Sequence, residues 1–353
     1  MSIVRNQAFE LCGEVIQPGE RKTIDLKIGS LYAHSELSIP VQVLCGRQAG
    51  PTLFVSAAIH GDELNGVEII RRLLKVKSLN KIKGNLIAVP IVNLHGFIHN
   101  SRYLPDRRDL NRCFPGSESG SLAARMAHLF LNEIVAKCTH GIDLHTGAIH
   151  RSNLPQIRAN LDKDVTMRMA QAFDAPVIMD SELRKGSLRA SAVKLGIPIL
   201  LYEAGEALRF DELGIRAGVR GILNVMRELE MLPLRQHPPT KPSQIARSSF
   251  WIRAETSGIF RSRLKDGQRV LANETLLGVL SDPFGESEVS IYSPYNGIII
   301  GQMKLPLVNE GEALFHIARF ARSDAIENQV DAMQETLQSE AKLPYPSEDI
   351  PEL

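Results

Sequence analysis

The chain has 353 residues, 44% of them hydrophobic, enough for one large domain and a small one around buried cores. Its 41 Lys and Arg against 40 Asp and Glu, with no basic block, exclude the electrostatic footprint of a nucleic-acid binder and point to a small-molecule partner. Four scattered cysteines without CxxC spacing, no apolar N-terminal core and no run of about 18 apolar residues exclude a disulfide framework and a membrane span, and we expect a soluble, cytoplasmic protein.

Residues 1 to 50 carry short alternating apolar segments such as Leu37–Leu44, which predict antiparallel strands leading into a core sheet. From there to about 232, strand-like and helix-like segments alternate: strand 52–59, helix 63–76, strand 85–92, helix 120–137, strand 141–145, helices 162–173 and 187–195, strand 197–203 and helix 211–230. This alternation predicts an α/β fold with a mixed central sheet and helices on both faces, occupying residues 1–235. Pro233, Pro238, Pro239 and Pro242 break helix and strand alike, so residues 236–248 read as a linker.

Helical periodicity vanishes from 249 to 320. Gly258-Ile-Phe and Val270–Leu280 are echoed by Gly297-Ile-Ile and Leu307–Ile317, a β-rich pseudo-repeat that resembles the small flattened barrel of biotinyl and lipoyl domains. Met303-Lys304 is not in the place of a carrier lysine, because the turn before Ser293-Pro-Tyr-Asn-Gly297 is Ser281-Asp-Pro-Phe-Gly285 and contains no Lys. A lid or oligomerisation module is the expectation, which leaves a homo-oligomer open. Residues 321–353 read as an amphipathic helix followed by a disordered tail.

Chemistry concentrates in the larger domain. Ile59-His60-Gly61-Asp62-Glu63 closes an apolar strand and opens a helix, and Gly141-Ile-Asp143-Leu-His145-Thr-Gly147 ends another strand. His60, Glu63 and His145 form the two-His-one-carboxylate set by which catalytic Zn²⁺ sites leave a position open for water or substrate. Gly61 is expected to let the chain pivot, and Glu63, in the first helical turn, to point back beside the imidazole. Either motif alone occurs by chance in many chains; both at strand ends are expected to meet where open α/β sheets assemble their sites. Between them lies an Arg-rich loop, Asn100 to Gly116, and Arg is the side chain that grips carboxylates bidentately. Glu203 ends the apolar strand Ile197–Tyr202, where burial near a metal can tune a general base.

His60-Gly-Asp-Glu63, Asp109-Leu-Asn-Arg112, Asp143-Leu-His-Thr-Gly147 and the strand-borne Glu203, in this order, make the chain similar to the succinylglutamate desuccinylase/aspartoacylase family, a branch of the zinc carboxypeptidase superfamily. The resemblance spans residues 60 to about 205. It implies one Zn²⁺ per chain on His60, Glu63 and His145, with water completing the coordination, and Asp109 holding the far nitrogen of His60. It further implies that Asn111 and Arg112 clamp a substrate carboxylate, that Arg102 polarises the scissile carbonyl, that Glu203 is the base, and that Arg189 binds substrate. The spacing around Arg102 and Arg189 departs from aspartoacylase, and Asp143 reads as structural. The expected activity is zinc-dependent hydrolysis of a linear amide in an N-acyl amino acid or similar acylated amine. A metallocarboxypeptidase acting on peptide C-termini, or a non-catalytic zinc-binding sensor, would use the same residues.

Overall fold

The computed structural model of the chain describes residues 4–30, 32–234 and 243–320, together with Ala332 and Glu335. Strands β1 (Phe9–Leu11) and β2 (Glu14–Ile16) form a hairpin, and β3 (Arg21–Ser30), β4 (Glu36–Cys45) and β5 (Gln48–Ala57) lead inward. There follow α1 (Asn65–Leu73), β6 (Lys83–Val89), the short α2 (Leu94–Ile98), α3 (Leu122–Glu133), β7 (His140–Gly147), β8 (Arg151–Ala159), α4 (Asp164–Phe173), β9 (Val177–Asp180), α5 (Leu188–Lys194), β10 (Ile199–Glu206) and α6 (Glu212–Glu228). Beyond these lie β11 (Gln244–Ala246), β12 (Ser248–Arg253), β13 (Gly258–Arg261), β14 (Arg269–Val270), β15 (Leu276–Ser281), β16 (Glu288–Tyr292), β17 (Gly297–Met303), β18 (Leu307–Val308) and β19 (Ala313–Arg319).

Strands β6, β5, β7 and β10 pair in parallel, and β4 and β8 join them antiparallel on either side. The α/β fold with helices on both faces is therefore the one expected. Leu53, Val55, Ile142, Leu144, Leu200 and Tyr202 point to one face, where α1, α4 and α6 cover them. Phe54, Ile87, Val89 and Ile199 point to the other, packed with Phe130 and Met126 of α3 and Leu188 of α5. Strands buried on both faces read as continuous apolar runs, which is why β5, β6 and β10 were visible in the sequence.

Several boundaries differ from expectation, each for a local reason. Helix α1 starts at Asn65, so Glu63 lies in the turn that precedes it. Gly61 is not a pivot; a Cβ there would lie 2.0 Å from the carbonyl carbon of Gly96, so glycine permits a close backbone approach to α2. The left-handed residue of this turn is Ala58, at φ 49°. The expected helix 120–137 ends at Glu133 and finishes as a 3₁₀ turn, Val135–Lys137. Strands β8 and β9 were not anticipated.

The β-rich region at 249–320 is present as two facing sheets over an apolar layer that includes Phe260, Leu277, Phe315 and Ile317. One sheet, β12-β19-β17, does not stand apart: β17 pairs antiparallel with β8, continuing the central sheet. Within the expected linker, Gln244–Ala246 forms β11 and pairs with β9. Residues 236–242 of that linker and the tail at 321–353, apart from Ala332 and Glu335, lie outside the described residues.

Candidate metal and hydrolytic site

Register brings the site together on one face of the sheet. Ser56 on β5 is opposite Asp143 on β7, His145 is opposite Glu203 on β10, and Glu203 is opposite Gln156 on β8. Because side chains alternate along a strand, Asp143 and His145, two apart, face the same way, as do Gln156 and Arg158. His60 and Glu63 arrive from the turn after β5, in which Glu63 N donates to His60 O at 3.1 Å.

His60, Glu63 and His145 are 2–4% exposed. His60 Nδ1 is 2.7 Å from Glu63 Oε1, and His145 Nδ1 is 2.7 Å from Glu63 Oε2. The outer nitrogens face carboxylates: His60 Nε2 lies 3.1 Å from Asp109 Oδ1 and His145 Nε2 lies 2.8 Å from Asp143 Oδ2. With the outer nitrogens donating to those acceptors, the Nδ1 lone pairs of both rings converge on a carboxylate that is itself an acceptor. Three electron-pair donors aimed at one another fit a cation, and their ligand atoms lie within 4.8 Å of each other. Two imidazoles and a carboxylate are the donor set that zinc takes.

Electrostatics follow from this crowding. Burial lowers the pKa of His60, but Glu63 and Asp109 outweigh it and raise the ring above its ordinary range. His145 is raised further, against burial, by Asp143 and Glu63. Glu63 resists burial and is held below the carboxylate range by the two rings. Thr146 N adds a hydrogen bond to Glu63 Oε2 at 3.2 Å.

Arg102 and Asp109 lie beside His60 and Glu63. Arg102 Nη1 donates to Glu63 Oε1 at 3.2 Å and Nη2 to Asp109 Oδ2 at 3.0 Å. Asp109 also caps the turn that follows it, accepting from Asn111 N at 2.8 Å. The Asn111 side chain is turned inward, its Oδ1 accepting from Leu188 N at the start of α5, so its amide N–H groups remain for other partners. Arg112 Nη1 donates to Asn111 O at 2.6 Å. Arg189 is partly buried, fixed by Ser181 Oγ at 2.6 Å and Glu182 O at 2.9 Å, and burial, with Arg158 nearby, pushes its pKa down to about 10.

Glu203 is gripped from β8. Asn153 Nδ2 donates to its Oε2 at 3.0 Å, and Arg158 Nε lies 2.9 Å from the same oxygen, an ion pair whose N–H is not aimed along it. Sequence reasoning named neither residue, and it read Asp143 as structural. Asp143 holds the outer nitrogen of His145 and is itself held by Ser56 Oγ at 2.8 Å. The Asp-x-His spacing on a strand was the available signal, since it places both side chains on one face.

Residues 49–229, just over half of the chain, match the succinylglutamate desuccinylase/aspartoacylase catalytic domain, and the chain belongs to that family. It is 25% identical over 303 residues to the N-alpha-acetyl-L-2,4-diaminobutyric acid deacetylase of Halomonas elongata, a match covering 82% of this chain and 88% of the relative. Among solved structures it resembles a succinylglutamate desuccinylase/aspartoacylase from Rhodobacter sphaeroides at TM-score 0.75 and 23% identity, over 86% and 96% of the two chains. The product-bound ectoine utilization protein of Ruegeria pomeroyi is alike at TM-score 0.75 and 23% identity, over 85% and 94%. The two solved structures carry the same fold, and the Halomonas relative is named for a deacylating activity.

Proposed function

We propose that this protein is a zinc-dependent amidohydrolase that deacylates an N-acyl amino acid or a similar small acylated amine bearing a carboxylate. The observation that carries the reading is the convergence of His60 Nδ1, His145 Nδ1 and Glu63 within 4.8 Å, with Glu203 in register beside His145. Membership in a deacylase family and likeness to an N-acetyl-diaminobutyrate deacetylase support it.

His60, Glu63 and His145 would hold one Zn²⁺, and Asp109 and Asp143 keep the two rings in the tautomer that offers Nδ1. When bound, zinc supplies a Lewis acid that polarises the amide carbonyl and acidifies a water. Glu203 takes the proton from the attacking water and passes it to the departing amine nitrogen. Arg102, which donates to Glu63 and Asp109 in the structure, stabilises the developing oxyanion. Arg112 and the Asn111 amide clamp the substrate carboxylate, and Arg189 binds substrate. The products are a carboxylic acid and an amine.

Zinc-loaded and chelator-stripped protein, assayed against N-acetyl and N-succinyl amino acids and short peptides, tests this. Amine release from the acylated amino acids, lost on stripping and restored by Zn²⁺, is the expected result. Release of C-terminal residues from peptides without deacylation would overturn it. Glu203→Gln is expected to keep its zinc and lose about 10²- to 10⁴-fold in kcat; near-normal turnover would remove Glu203 as the base.

A further inference from the structure

The two residues of β8 that hold Glu203 are themselves held from the C-terminal β region. His316 on β19 is buried and stacks on Trp251 of β12, with centroids 4.2 Å apart and planes 9° apart. Its Nε2 lies 2.8 Å from Ser249 Oγ and its Nδ1 lies 3.5 Å from Arg158 Nη2. Burial, reinforced by the charge of Arg158, pushes the His316 pKa down to about 3, so the ring is neutral at ordinary pH. With Nε2–H donated to Ser249, the Nδ1 lone pair accepts from Arg158.

A second contact reaches the other partner. Gly301 on β17 is opposite Asn153, and a Cβ there would lie 2.6 Å from Asn153 Oδ1. Only glycine lets β17 come so close while the Asn153 amide keeps its Nδ2 on Glu203. Between them, Gln156, the residue of β8 opposite Glu203, donates through Nε2 to Ile300 O at 3.2 Å. Strands β17 and β19 thus touch each β8 side chain that surrounds Glu203.

We infer that His316 and Gly301 are positioning residues: the C-terminal β region sets the place of Arg158 and Asn153, and through them aims the Glu203 carboxylate. This rests on Glu203 being the base. Arg158 meets Glu203 as a 2.9 Å ion pair without a directed hydrogen bond, so the direction of the guanidinium is left to its other contacts, and its Nη2 end lies 3.5 Å from His316 Nδ1. The C-terminal region then works as part of the active centre, acting on kcat and not on substrate binding.

The test uses the full-length zinc-loaded protein with three exchanges. His316→Phe keeps an aromatic ring against Trp251 and removes the acceptor; His316→Asn restores an acceptor oxygen near the place of Nδ1; Gly301→Ala displaces Asn153. With Nα-acetyl-L-2,4-diaminobutyrate as probe, His316→Phe and Gly301→Ala are expected to lose roughly 10- to 100-fold in kcat with KM and zinc content unchanged. His316→Asn is expected to recover most of the loss. Crystal structures of the variants provide a readout that needs no substrate: Arg158 leaves Glu203 in His316→Phe, and Asn153 leaves it in Gly301→Ala. Parental kcat in both variants, or Arg158 and Asn153 still in place on Glu203, would overturn the inference. Parental turnover in Glu203→Gln would instead remove the premise, and the two failures are thereby told apart.

Discussion

Exchange of Asp143 for Asn keeps size and shape but replaces the carboxylate that fixes His145 Nε2 at 2.8 Å. Without it the ring is free to flip or take the other tautomer, and the expected loss of zinc affinity is about 10- to 100-fold, measured by competition with a chelator. Unchanged affinity would show that strand geometry alone aims His145. His60, Glu63 and His145, with Asp109 and Glu203, could be picked out as candidates from the sequence because each lies in a short motif whose spacing is fixed by one strand end or turn. Arg158 and Asn153 were not, because nothing near them in the chain announces chemistry; they matter through the register that lays β8 against β10. The inward turn of Asn111 onto Leu188 was equally hidden, since its partner lies 77 residues away.

At the scale of elements, α1 lies so close to the sheet that a Cβ on Gly66 would sit 2.6 Å from Ala57 Cβ and 2.8 Å from Leu144 Cβ. Gly66→Ala is expected to cost about 1–3 kcal/mol by overpacking, read as a lower denaturation midpoint. Since α1 follows directly on Glu63, the same shift should weaken zinc retention; a variant as stable and as zinc-rich as the parent would contradict this packing. The central strands were visible because burial on two faces leaves unbroken apolar runs, and the helices because one buried face repeats apolar residues at helical spacing. Strand β8 was invisible for the opposite reason. Arg151-Ser-Asn-Leu-Pro-Gln-Ile-Arg-Ala turns polar side chains toward the site and includes Pro155, which argues against a strand unless register is known.

For the molecule as a whole, metal and proton compete for the same ring nitrogens. In metal-free protein His60 and His145 have raised pKa values, so they retain protons that the unfolded chain loses near pH 6.5. That contribution to stability is complete below about pH 6.5 and is lost as pH rises through the raised values. Zinc needs the deprotonated rings, so its binding becomes more favourable over the same interval. The stabilisation conferred by a fixed concentration of Zn²⁺ should therefore grow from pH 6 to pH 8, reaching about 4 kcal/mol where that concentration is 1,000-fold above Kd. A gain independent of pH would mean that the rings are not the ligands. The continuity of β17 with β8 belongs to this scale too. The sequence revealed a β-rich pseudo-repeat and a Pro-rich break before it, but which edge of the central sheet it would extend depends on pairings some 150 residues apart.

The most direct test measures zinc and turnover on one sample. Parent protein purified without chelator is expected to carry one Zn²⁺ per chain and to deacylate an N-acyl amino acid. Glu63→Ala, which removes the carboxylate on which both Nδ1 atoms converge, should carry none and be inactive. Full hydrolysis by metal-stripped protein, or stoichiometric zinc in Glu63→Ala, would contradict the account.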